Sequence, residues 1–359
     1  MKSYFPWLPA LCAALLALSA CAQVAPAQPT PRVALLVLSK QDHTLAIVDP
    51  ATLAVVARIP VGDDPHEVIA STDGTAAYVS NYGFGAFHTL SVVDLVHQKR
   101  LPSIDLGALR GPHGLAFVQD KVWFTAEVAK AIGSYNPATG EIDWIMGTGQ
   151  NRTHMLHVFP GARRILTTNV NSGTVTIMDK VDARPGPPPG GNPTPGAPRP
   201  PGFGPPPGPP GGDWQLTVVP VGHGSEGFDV SPDGKEAWVA NAGDGTISII
   251  DIAAKKVTAT LDADVLGANR LKFTPDGRLV LVSAGPDLVI LDAATHQAIK
   301  RLVTGHGSGG VLVQPDGERA YESCGPDNYV VVVDLKTLKV VGHIHAGGGP
   351  DGLAWALRP

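Results

Sequence analysis

Residues 236–277 read EAWVANAGDGTISIIDIAAKKVTATLDADVLGANRLKFTPDG, from Glu236 to Gly277. The stretch parses as a strand, a turn, a strand ending in Asp251, a third strand, a glycine, and a fourth strand closed by Pro-Asp-Gly. Its apolar residues are β-branched or aromatic and alternate with polar ones, as in ISIID from Ile247 to Asp251, which is the pattern of a half-buried strand. Pro presets φ and Gly supplies a positive φ, so Pro-Asp-Gly at 232–234, 275–277 and 315–317 marks tight turns.

The same unit recurs along the chain. The residue ending its second strand is Asp49, Asp94, Asn136, Asp179, Asp251, Asp292 and Asp334 in turn, at steps of 45, 42, 43, 72, 41 and 42 residues. Short strands repeating every 40–50 or so residues predict an all-β, seven-bladed β-propeller of four-stranded antiparallel blades. The one long step contains RPGPPPGGNPTPGAPRPPGFGPPPGPPGG, residues 184–212. Almost all Pro and Gly, that block is read as a disordered insertion. It leaves a blade between the second and third strands of the unit, on the face opposite the starts of the inner strands.

The two ends are out of phase in a way that closes the ring. The first repeat opens with VALLVLS (Val33 to Ser39) and lacks an innermost strand, whereas Asp351 to Leu357 is an innermost strand with nothing after it. Pairing them completes a blade and removes two exposed sheet edges. The propeller is thus expected over residues 33–359.

Three segments read Tyr78-Val79-Ser80-Asn81, Trp238-Val239-Ala240-Asn241 and Leu166-Thr167-Thr168-Asn169, and Pro-His motifs stand in GDDPHEV (Gly62 to Val68) and Gly111-Pro112-His113-Gly114-Leu115. These residues resemble the YVTN-type, YncE-like propeller repeats. The resemblance implies the fold strongly and the function weakly, because related propellers include lactonases, lyases, haem proteins and pure binding scaffolds.

Ahead of the repeats, Lys2 and an apolar run from Leu8 to Ala20 resemble a signal peptide over residues 1–20, too short to span a bilayer. Leu18-Ser19-Ala20-Cys21 resembles a lipobox, with Cys21 as the lipidation site and residues 21–32 as a flexible tether. An extracytoplasmic protein, periplasmic or at the cell surface and lipid-anchored with the outer membrane favoured, follows as an expectation. The formal charge of −5, with Lys and Arg not in excess, gives no basic footprint for nucleic acid. Of three cysteines, Cys12 lies in the leader and Cys324 is left alone as a small, half-buried filler.

Chemistry is concentrated in one alignment. The first polar position of each innermost strand is His66, His113, His154, Glu226, Asn269, Gly309 and Asp351. Three imidazoles flanked by carboxylates at one channel mouth suit a divalent transition metal, less readily haem, or a polar small molecule. The competing reading is structural: His in Pro-His-Gly belongs to the repeat itself and bonds neighbouring loops. The turns after the YVTN-like strands place Lys40, Asn81, Glu127, Asn169, Asn241 and Cys324 on the same rim. Asn there is expected to bond its own backbone, so Lys40 and Glu127 are the better candidates. Tyr82, Phe84, Phe87 and His88 wall a pocket or plug it. His157 turns away from His154, towards Asp229 and Lys272, which are positioned to pair.

No phosphate loop, G-x-S-x-G, CxxCH or HExxH is found. The residues therefore favour a binding or scaffold protein over an enzyme, its partner a protein or small-molecule ligand on the histidine face. A metal-dependent lactonase or lyase, and a haem- or metal-handling propeller, are the alternatives.

Overall fold

The computed structural model describes Met1 and residues 28–182, 212–307 and 309–359. The leader, Cys21 and, apart from Gly212, the Pro/Gly insertion lie outside the described residues. The chain forms seven sheets of four antiparallel strands. Blade 1 is built from both ends: Val33–Ser39, Thr44–Asp49 and Ala54–Pro60 are joined by the inner strand Pro350–Leu357. Val33 pairs with Leu357, Leu35 with Trp355 and Val37 with Leu353, so the expected closure is formed. Blades 2 to 7 follow in chain order, with inner strands Pro65–Ala70, Pro112–Val118, Thr153–Val158, Ser225–Val230, Ala268–Phe273 and Val311–Val313.

The apolar side chains fall into seven clusters, one between each pair of neighbouring blades. Leu36 packs towards blade 2, with Val79 and Ala77, while Leu35 packs towards blade 7, with Tyr321 and Val332. A strand whose two faces both bury side chains explains why VALLVLS is a continuous apolar run.

Counted outward from the inner strand of each blade, the Asp markers close the turn between strands three and four. Asp49, Asp94, Asp251, Asp292 and Asp334 each accept backbone N–H groups two or three residues ahead. Asp179 does not; it accepts from Arg164 Nε and Lys255 Nζ, both at 2.6 Å. The insertion follows it, and instead of turning at Asp179 the ladder runs on to Val181 opposite Asp213. With the tight turn gone, the half-buried carboxylate takes other partners.

Candidate functional site

The inner strands enter their blades irregularly. Six of them shift register at the start, between Pro65 and Val68, Pro112 and Leu115, Thr153 and Leu156, Ser225 and Phe228, Ala268 and Arg270, and Pro350 and Leu353. Such a bulge re-aims a side chain, here that of His66, His113, His154, Glu226, Asn269 and Asp351. In blades 2, 3, 4 and 6 a hydroxyl on the second strand, of Ser80, Thr125, Thr168 or Ser283, holds the distortion. Thr125 Oγ1 accepts Gly114 N–H at 2.8 Å and donates to the His154 carbonyl of the next blade at 2.6 Å. Thr168 links Met155 N–H to Glu226 O, and Ser283 links Arg270 N–H to Gly309 O, in the same way. The Ser or Thr of the YVTN-like segment thus fixes the ring of polar residues from blade to blade.

That ring converges. Ring centroids are 5.0 Å apart for His66 and His113 and 3.9 Å apart for His113 and His154. His113 and His154 are buried at 2 % and 1 % exposure. Glu127 Oε1 lies 2.5 Å from His154 Nδ1, and Tyr82 donates its hydroxyl to Glu127 Oε2 at 2.5 Å. His154 Nε2 lies 3.1 Å from Glu226 Oε1 but makes no hydrogen bond, and His113 Nδ1 and Asn269 Oδ1 are likewise buried without a partner. Ligand atoms of His113, Glu127 and His154 lie within 4.8 Å of one another. The other side of the mouth is an ion-paired group: Lys40 Nζ is 2.7 Å from His66 Nε2 and 3.2 Å from Asp351, and Asp64 Oδ1 is 3.1 Å from His66. The cavity they line has a volume of about 530 Å³.

The register corrects the rim alignment. Asn81, Asn169 and Asn241 pair with the first residue of their inner strands, as do Ser39 and Ala126 in blades 1 and 3. Lys40 and Glu127 therefore sit one position later, level with Tyr82, and reach the channel. The asparagines are buried and donate Nδ2 to hydroxyls of the third strand, Asn81 to Thr89 and Ser91, Asn241 to Thr246 and Ser248, rather than closing turns on their own backbone. Cys324 is off the rim too: it is fully buried in the cluster between blades 6 and 7, and burial pushes its thiol up to about 12. Of the blade 2 loop only Tyr82 joins the site. Phe84 is 92 % exposed, and His88 bonds Asp105 at its surface.

Several residues at the mouth were not singled out from sequence. The position before the inner strand is left-handed in most blades and is Gly111, Gly224, Gly267 or Gly349, but Asp64 and Arg152 adopt φ of 47° and 55° there. A charged side chain in a slot that favours glycine is a signal of function available in the alignment. Arg152 contacts Glu226 at 3.2 Å and Glu127 at 3.6 Å. One residue past the polar ring, Gly114, Gly227, Gly310 and Gly352 lie so close to the next inner strand that a Cβ would strike its backbone. Only Glu67, Met155 and Arg270 break that glycine set, and Arg270 crosses the channel to pair with Glu67.

These neighbours set the charge states. Burial alone would lower His154, but Glu226 and Glu127 outweigh it and raise the imidazole. Burial, reinforced by His154 and Arg270, holds His113 well below its ordinary range, and burial also lowers His66. Burial pushes Glu226 up, yet His154, Arg152 and Arg270 overcome it and bring the carboxyl down to about 2.

No protein-family model and no curated protein sequence matches the chain. Solved structures do, and they show the fold alone. One is a functionally unknown protein from Desulfotomaculum acetoxidans, with TM-score 0.70 and 14 % identity, covering 91 % of this chain and 99 % of its own. Another is Kuenenia stuttgartiensis hydrazine synthase, with TM-score 0.66 and 17 % identity, over 85 % of this chain and 93 % of its own. A putative 6-phosphogluconolactonase from Bacteroides fragilis has TM-score 0.66 and 15 % identity, over 91 % and 99 %. The residues of the mouth, not these likenesses, carry the functional argument.

Proposed function

We propose that this chain is a ligand-binding propeller of the YVTN type whose channel mouth takes up a divalent transition metal. The observation that carries the reading is the pair His113 Nδ1 and His154 Nε2: two buried imidazole nitrogens in adjacent blades that make no hydrogen bond, the second of them facing Glu226 Oε1 at 3.1 Å. Glu127 on His154 Nδ1 fixes the ring and leaves Nε2 as the lone-pair donor, the usual arrangement behind a metal-ligating histidine. Glu226, whose Oε1 lies 3.1 Å from that nitrogen, supplies the carboxylate. Charge supports it as well: Asp64, Glu67, Glu127, Glu226 and Asp351 face Lys40, Arg152 and Arg270, a deficit of two charges that a dication would balance and a His154 proton would only halve.

Titration calorimetry with Zn²⁺ and visible spectroscopy with Co²⁺ test the proposal. The expected result is one site per chain, lost in a His113→Ala/His154→Ala variant that still folds. No uptake by the wild-type protein would overturn it, and a Soret band in purified protein would point to haem instead. A second reading, a lactonase or lyase at the same mouth, is favoured by His154 standing between two carboxylates, a geometry able to pass a proton. Metal-dependent opening of a lactone, absent in the same variant, would establish it.

Export and lipidation at Cys21 are part of the proposal. What supports them, beyond the leader, is where the chain enters the ring. Thr30 Oγ1 donates to Leu95 O at 2.5 Å and Gln98 Nε2 to Gln28 O at 2.7 Å, on the face opposite the histidines. A Cys21→Ser protein should leave the membrane fraction, and the mass of the mature N-terminus should show the acyl group.

A further inference from the structure

Beneath the mouth the channel has two more levels. The Glu67–Arg270 pair, with Met155 beside it, forms a floor, because every other blade offers glycine at that height. Two residues further along the inner strands lies a lower chamber of about 320 Å³ that shares Glu67 and Arg270 with the floor, small but within the range of ligand pockets.

The wall of this chamber is divided by chemistry. His157, Asp229 and Lys272 occupy one level on blades 4, 5 and 6, opposite Leu166, Trp238 and Leu281 of their second strands. On blades 2, 3 and 7 the same level carries Ile69, Ala116 and Leu312. Trp355 of the closing strand adds an indole to the apolar side, its N–H already taken by Val313 O at 2.8 Å. The Asp229–Lys272 contact is loose, 3.5 Å, and Lys272 is about a third exposed (36 %), so solvent reaches it. Asp229 Oδ2 accepts Phe273 N–H at 3.0 Å, which holds the carboxylate in place with Oδ1 turned to Lys272. An ammonium has three protons to give, and this one spends at most one, at the limit of hydrogen-bond length. Burial keeps His157 below its ordinary range and thus neutral at pH 7.

We propose that this chamber is a second binding site, for the zwitterion of an α-amino acid with an apolar side chain. A ligand carboxylate meets Lys272 and a ligand ammonium meets Asp229, while the side chain lies against Leu312 and Trp355. The two wall charges cancel, so a ligand with both charges is matched at both ends. An acid alone would face Asp229, and an amine alone would face Lys272, each leaving a like-charge contact.

Calorimetry on the full chain with L-phenylalanine, 3-phenylpropionate and 2-phenylethylamine tests it. Phenylalanine should bind saturably and the other two at least tenfold more weakly. Lys272→Met and Asp229→Asn should each weaken phenylalanine at least tenfold, with folding checked by circular dichroism, and His113→Ala should leave its affinity unchanged. No saturation by phenylalanine up to its solubility, equal binding of the three compounds, or binding kept in Lys272→Met but lost in His113→Ala would overturn the proposal. If Asp229→Asn does not fold, the three-ligand comparison on the wild-type protein decides alone. Metal binding at the mouth can fail without affecting this test, and the converse holds.

Discussion

Arg270 of blade 6 reaches across the central channel to Glu67 of blade 2, joining inner strands 203 residues apart in sequence. The guanidinium is 7 % exposed and the carboxylate 12 %, so neither can fall back on water. Burial disfavours the charge on Arg270, but Glu67, Asp351 and Glu226 more than compensate. Arg270→Met should therefore cost about 3–5 kcal/mol in urea unfolding, the usual result of orphaning one buried charge. The double change with Glu67→Met should cost clearly less, and equal losses in the two variants would refute the pairing.

Glu322 is a carboxylic acid inside a core. It is fully buried between blades 6 and 7, both oxygens lack partners, and it stands where other blades have Val79, Val239 and Val282. Burial pushes it up to about 7 from 4.5, with Asp287 adding to the shift and Thr304 opposing it. A folded value above the unfolded one means that the contribution to stability is complete below pH 4.5 and is lost as pH rises through 7. The total loss is about 3 kcal/mol. Glu322→Val should remove that slope and be the more stable protein at pH 8, as measured by denaturant midpoints across pH.

Glu127 acts on His154 rather than on solvent, since its side chain is 4 % exposed and both oxygens are engaged. Glu127→Gln should weaken Zn²⁺ binding roughly 10–100-fold while leaving the melting temperature nearly unchanged. Affinity should also fall as pH drops, because Glu226 and Glu127 raise His154 and a proton competes for its nitrogen. A pH-independent affinity would rule His154 out as a ligand.

Thr125→Val keeps the shape of the side chain and deletes the hydroxyl between Gly114 N–H and His154 O. Two buried backbone groups then lose their partner, at about 1–3 kcal/mol. Because one of them carries His154, metal affinity should drop with stability, unlike Phe84→Ala, which touches only solvent and should change neither.

A chain ending at Gly349 would lack the inner strand of blade 1 and with it Ala354 and Ala356 of one core cluster and the Trp355 contact of another. The edge of Val33–Ser39 would stand open. Size-exclusion chromatography should show aggregation, and restoring residues 350–359 as a separate peptide should recover monomer.

The ring, its count of blades and its closure could be read from residues 33–39 and 351–357, because strand pairing leaves a period of two and blades a period near 42 in the sequence. The polar column from His66 to Asp351 was legible for the same reason, since equivalent positions in a repeat share a height. Arg152 was legible too, as a break in a glycine column, had left-handed backbone been looked for.

Asn81 and Glu127 show where sequence reading stops. In one dimension they look equivalent, but a one-residue difference in register turns one into the wall between blades and the other into the channel. The sequence by itself determined which residues share a level. Only the tertiary structure decided which of them face each other across the axis, as Glu67 and Arg270 do, and which nitrogens of His113 and His154 stay unpaired. Those outcomes depend on distances of a few ångströms between blades, set by how seven sheets pack around one channel, and no local pattern encodes them.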